Sequence, residues 1–213
     1  MSDPVKRRSY AVAGRQRQSA ATRQRIIDAG RELVLASGYR ATTVAAVAAL
    51  AGVNVDTVYR LVGRKPVLMR ELIEQALSGT DHAVTADERA HVMAMRAEPD
   101  PVVRLTLYAQ AMRETHARLA PLFLALRDAS STEPDARNLW QQISDRRATN
   151  MRTLAGELPL RDGLSVEDAA DTVWVLNSPE LFVLLTDERG WPPERYERWL
   201  ADGLCRMLLP PLR

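Results

Sequence analysis

The chain has 213 residues, 46% of them apolar and 26% charged, enough for one large domain or a small domain joined to a larger one. Net charge is only +2, yet residues 1–70 carry 13 Lys/Arg against 4 Asp/Glu, and residues 71–213 carry 16 against 23. A basic head on an acidic body favours a polyanionic partner for the head alone. A single cysteine, Cys205, excludes an internal disulfide. The basic N-terminus has no apolar run of the kind a secretory signal needs, and the longest uncharged stretch, Ala41–Val55, is too short and polar to span a bilayer. These features predict a soluble, cytoplasmic protein.

In chain order, residues 1–19 combine Pro4, Gly14, Ser, Gln and five basic side chains including Arg15 and Arg17, and read as a flexible basic arm. From Ala20 a helical period begins, with Ile26, Ile27, Gly30, Leu33 and Val34 on one face, and Gly38 closes it. Thr42 or Thr43 caps a second helix over Val44–Ala51. Gly52-Val53-Asn54 makes a turn and cap before a short helix over Val55–Val62. Gly63 ends that helix, and Pro66 fits the first turn of a fourth, which runs to Gly79.

Beyond, the pattern predicts helices only. Thr85-Ala86-Asp87-Glu88 fits a capping box. Pro99-Asp100-Pro101 precedes a helix over Val102–Leu119, Pro121 opens another to Ala129, and Pro134–Leu158 is a long one. The pattern from Val166 to Glu188 is interrupted at Asn177-Ser178-Pro179, and a last helix runs from Pro193 to about Leu209. The expectation is an all-α protein of nine or ten helices: an arm over 1–19, a three-helix unit over 20–65 and a larger helical domain over 66–213.

The segment Tyr39–Leu68 has the order a helix-turn-helix requires: a bracing helix, a glycine turn, and a second helix able to enter a major groove. Arg60, Arg64 and Lys65 stand where flanking phosphates would lie. Gly38-Tyr39, Thr42-Thr43-Val44, Val47-Ala48, Ala51-Gly52-Val53 and Thr57-Val58-Tyr59, then Lys65 and Leu68, resemble the DNA-binding signature of TetR-type regulators. The resemblance spans roughly residues 22–72. It implies a three-helix DNA-binding unit, a connecting fourth helix, and a larger domain that dimerises and usually holds an effector pocket.

By position, the resemblance implies phosphate contacts from Thr43, Tyr59 and Lys65 and base reading around Val55, Asp56, Thr57 and Arg60. Thr42, Asn54 and Arg64 complete the candidate surface. Asp56 could accept from a cytosine amino group or merely offset a helix dipole. Arg60 could read guanine or hold the backbone, and Tyr59 could contact phosphate or serve only as a structural ring. Arg15 and Arg17 could enter a minor groove, neutralise phosphates nonspecifically, or simply be solvated. Leu61 and Val62 stand where the family often has His and Phe, and Pro66 replaces a frequent acid.

In the body, Tyr108, Met112, Phe123, Trp140, Met151, Trp174 and Asn177 are candidate pocket residues, against the alternative that the apolar ones are simply core. Pro179 could kink a helix to line a cavity, or join two helices. Arg146-Arg147 and Arg152 could hold an anion, although Asp145 and other acids make surface ion pairs the better reading. The histidines lack metal-ligand spacing, and no nucleophile or phosphate-loop motif appears, so no metal, cofactor or enzymatic activity is expected.

The expected function is a sequence-specific transcription regulator. It would bind a near-palindromic double-stranded operator, dimerise through its last two helices, and leave DNA when a small-molecule effector binds. Two alternatives stay open: a constitutive architectural DNA-binding protein, and an all-helical enzyme.

Overall fold

The computed structural model describes residues 4–82 and 84–211, with side chains from Gln16 onward. Among them there is no strand, and no single helix is long and apolar enough to cross a membrane. The chain divides into two compact units, Met1–Leu72 and Ile73–Arg213. The division falls inside the fourth helix, seven residues beyond the expected limit at Lys65.

The first unit holds α1 (Pro4–Ala41), α2 (Val44–Leu50), α3 (Val55–Leu61) and the start of α4 (Lys65–Ser78). Its core is Ile26, Ile27, Val34, Tyr39, Val47, Val58, Leu68 and Leu72, each no more than 3% exposed. Gly38 breaks α1 with φ 77°, a backbone that side chains with a Cβ avoid. The expected arm is instead continuous with α1, which starts at Pro4. Alanine, arginine and glutamine are good helix formers, and the single Gly14 costs only about 1 kcal/mol. The side chain of Arg15 lies outside the described residues.

The second unit comprises the end of α4, a 3₁₀ turn (Ala86–Glu88), α5 (Ala90–Ala97), α6 (Pro101–Ser130), α7 (Pro134–Gly156), α8 (Val166–Leu176), α9 (Pro179–Val183), a π turn (Leu184–Glu188) and α10 (Pro193–Leu208). Helix α6 is its axis and packs against α5, α7, α9 and α10. Asp100 caps α6 by accepting from the N–H groups of Val102 (2.8 Å) and Val103 (3.3 Å), with Pro101 at the first position. On α10, Tyr196, Leu200, Leu204 and Leu208 recur every fourth residue and are all fully buried.

Two local expectations are corrected. Pro121 does not open a helix but lies inside α6, because Leu119, Ala120, Leu122 and Phe123 carry the buried face straight through it. The burial outweighs the one backbone hydrogen bond that proline removes. Thr85 forms no capping box: its hydroxyl donates to the Glu88 carboxylate at 2.6 Å, the backbone makes a 3₁₀ turn, and α5 begins only at Ala90.

Candidate functional site

Helices α2 and α3 meet at a bend of 101°, within the range of a helix-turn-helix. Gly52 makes the turn with φ 65°. Thr43 caps α2 by accepting from Ala46 N at 3.1 Å, and Asn54 caps α3 by accepting from Thr57 N at 2.8 Å. The Thr57 hydroxyl also donates to Asn54, at 2.7 Å, so both side chains stiffen the entrance to α3.

Only one residue of α3, Val58, is buried. Tyr59 is 49% exposed, and Val55, Asp56 and Arg60 also face outward, with Arg64 just beyond the helix. Thr43 and Asn54 are exposed, and Thr57 and Lys65 are half-buried. Nine of the ten expected surface residues thus keep some access to solvent. The exception is Thr42, which is 2% exposed and spends its hydroxyl on the Gly38 carbonyl at 2.9 Å. It closes the end of α1 rather than facing a ligand.

The second unit contains a partly open cavity of about 310 Å³, at the small end of ligand pockets. Tyr108, Met112, Phe123, Met151 and Asn177, five of the seven expected residues, line it. Trp140 and Trp174 do not: both are half-buried outside the lining, and the Trp174 ring lies under the Arg147 guanidinium at 4.7 Å. The break at Asn177-Ser178-Pro179 both joins α8 to α9 and walls the cavity with Asn177 and Pro179. Ser178 caps α9 by accepting from Leu181 N at 3.1 Å.

Asn177 is 2% exposed and organises this wall. Its Nδ2 donates to the Tyr108 hydroxyl, and its Oδ1 accepts from Arg147 Nη2 at 2.7 Å. Burial pushes the Tyr108 phenol above its ordinary pKa, so it stays protonated. Burial likewise drives His116 down to about 3, and its Nδ1 pairs with the Tyr196 hydroxyl at 3.2 Å as a neutral ring. Arg147, Arg89 and His91, which also line the cavity, were absent from the expected pocket. Arg146 and Arg147, adjacent in sequence, both line the cavity, but among the described residues only Arg146 of the two meets a carboxylate, Glu74.

A capped two-helix bend with a solvent-facing second helix in a basic unit defines a helix-turn-helix DNA-binding protein. Residues 26–74 match the family model for bacterial regulatory proteins, tetR family. No curated protein matches the chain by sequence. Among solved structures it resembles NalD, the secondary repressor of the MexAB-OprM multidrug efflux pump in Pseudomonas aeruginosa, with TM-score 0.71 and 22% identity over 91% of this chain and 98% of that one. A transcriptional regulator from Saccharomonospora viridis in complex with choline gives TM-score 0.63 and 17% identity, covering 87% and 96% of the two chains. The SmeT–triclosan complex gives 0.63 and 17%, covering 89% and 92%. At these identities the likeness is one of fold.

Proposed function

We propose that the protein is a homodimeric repressor that binds a near-palindromic operator and is released by a small molecule in the cavity. The observation that carries this reading is the extent of α4. It begins at Lys65, beside the helix-turn-helix, and ends in the second unit, where its Ile73 and Leu77 line the cavity. A ligand that moves those two side chains acts on the same helix that starts at the DNA-binding surface. A coupling of about 1–3 kcal/mol would change operator affinity about 5–150-fold, enough for a switch.

On DNA, α3 would enter the major groove with Val55, Asp56, Tyr59 and Arg60 toward bases and phosphates, while Thr43, Arg64 and Lys65 hold the flanking backbone. Val175, Leu184 and Met207 on the last helices are 43–52% exposed although apolar, which supports pairing through that region. Val173, Leu200, Leu204 and Leu208 on the same helices are core residues of the single chain.

Selection of bound duplexes from random DNA tests the reading. A palindromic consensus, with half-sites about 34–36 Å apart, is expected of the dimeric reader. Salt-sensitive binding without any consensus overturns it in favour of an architectural protein.

A further inference from the structure

Four arginines line the cavity, Arg89, Arg96, Arg146 and Arg147, and their charges are unequally met. Arg96 contacts two carboxylates, Asp87 at 2.9 Å and Glu157 at 3.1 Å. Arg146 Nη2 lies 2.5 Å from Glu74 Oε1. Arg89 reaches that same Glu74 only at 3.9 Å, and its buried Nε has no hydrogen-bond partner among the described residues.

Arg147 has no carboxylate in ion-pair contact among the described residues. Its Nη2 donates to the Trp174 carbonyl and the Asn177 side chain, and its face rests on the Trp174 ring. All of these partners are neutral. The acid whose field reaches it, Glu180, is bonded to Arg127 at 2.6 Å. Arginine stays charged in proteins even where burial disfavours it, so Arg147 is a cation without a counter-ion on a cavity wall. His91 and His116 share the cavity and are held neutral by burial, so they add no competing charge.

The remainder of the wall is largely apolar, with Met95, Met112, Leu119, Phe123, Ile143 and Met151. We propose that the cavity binds a small amphiphilic carboxylate, its anionic group seated on Arg147 with Arg89 adding to the field, and its apolar body lying along those six side chains. The planar guanidinium fork suits a carboxylate, and a cationic ligand would meet uncompensated positive charge. The inference deepens the ligand-responsive reading and rests on it for the regulatory role of the cavity.

Calorimetric titration of the full-length protein tests the ligand chemistry directly. The probes are matched sets: the acids from hexanoate through dodecanoate with phenyl- and biphenyl-carboxylates, the corresponding primary alcohols, and the corresponding trimethylammonium salts. At least one acid is expected to bind about 10-fold or more tighter than its alcohol, and its ammonium counterpart not at all. Arg147→Gln should cost that acid about 10- to 100-fold while leaving alcohol binding unchanged, and Arg147→Lys should restore part of the loss. Equal binding of acids and alcohols, preference for the ammonium, no binding by any acid, or unaltered acid affinity in folded Arg147→Gln overturns the proposal. Should that variant fail to fold, the acid–alcohol comparison on the unsubstituted protein still decides.

Operator binding, measured with the same probes, separates the two readings. An acid that binds without changing operator affinity refutes release by an effector and leaves the carboxylate site standing. Release of the operator by alcohols or ammonium salts alone does the reverse.

Discussion

The ammonium of Lys65 lies 4.0 Å from the centroid of the Tyr39 ring and donates to the Arg40 carbonyl at 3.4 Å. The first residue of α4 is thereby held against the end of α1, with a buried aromatic face beneath its charge. A lysine held there offers a positioned cation at the edge of the helix-turn-helix. Lys65→Met should weaken operator binding and reduce the slope of log affinity against log salt by about 1, with a stability loss of about 0.5–1 kcal/mol from the lost cation–π contact. Lys65→Arg should keep most of both. A salt titration of the Met variant with the original slope would rule out a phosphate role.

Thr43 has two possible duties, and one substitution separates them. Thr43→Asp keeps an acceptor for Ala46 N, which aspartate provides at least as well as threonine, but adds negative charge to a surface meant for phosphate. Thermal stability should hold within about 0.5 kcal/mol while operator binding falls by 10-fold or more, on the order of one lost charge-assisted contact. By contrast, Asn54→Ala should cost about 1 kcal/mol of stability, because the α3 cap is removed. Intact DNA binding in Thr43→Asp would assign Thr43 a capping role only.

Gly30 marks a close approach inside the first unit. A Cβ at that position would meet Leu68 Cδ2 at 2.7 Å, and Leu68 is itself 3% exposed with little room to retreat. Gly30→Ala gains about 1 kcal/mol of helix propensity but incurs an overpacking cost of about 1–3 kcal/mol. A net destabilisation of about 1 kcal/mol is expected by urea unfolding. Combined with Leu68→Ala, the same glycine substitution should become stabilising, so the double variant should be less destabilised than the sum of the two single ones. Additive effects would contradict the close packing.

His116 makes stability depend on pH in a definite direction. Burial lowers its pKa from the ordinary 6.5 to about 3, so between those values the unfolded chain takes up a proton that the native ring refuses. Its contribution is complete above 6.5 and is lost as pH falls toward 3, by up to about 1.4 kcal/mol per pH unit. His91, shifted down chiefly by burial, acts with the same sign. Chemical denaturation between pH 4 and 6 should show a shallower slope in His116→Gln than in the unsubstituted protein. Identical slopes would mean that the ring takes up its proton without unfolding.

Much of this molecule was legible in the sequence because its signals are local. Gly38, Gly52 and Gly63 all adopt positive φ, and Asn54 and Thr43 both cap helices where a reading of turn chemistry placed them. The cavity was legible in part, since long apolar side chains and a proline break narrow the candidates. What failed depends on three-dimensional packing. Thr42 and Thr43 are neighbours of one chemistry, and only the Gly38 carbonyl decides which turns inward. Pro121 reads as a breaker until the buried face on both sides of it is seen. Arg146 and Arg147 are likewise identical in sequence terms, yet one meets Glu74 and the other rests on Trp174.

The two helices of the DNA-binding bend are seven residues each. Segments under about 12–15 residues have almost no helical population alone in water, so α3 has no existence apart from the packing of Val47 and Val58 beneath it. An excised peptide would be a coil with the right side chains and no fixed presentation of them. On the proposed function, sequence reading would therefore depend on the small core, and a substitution that loosens that core should blunt recognition without touching a single outward-facing residue.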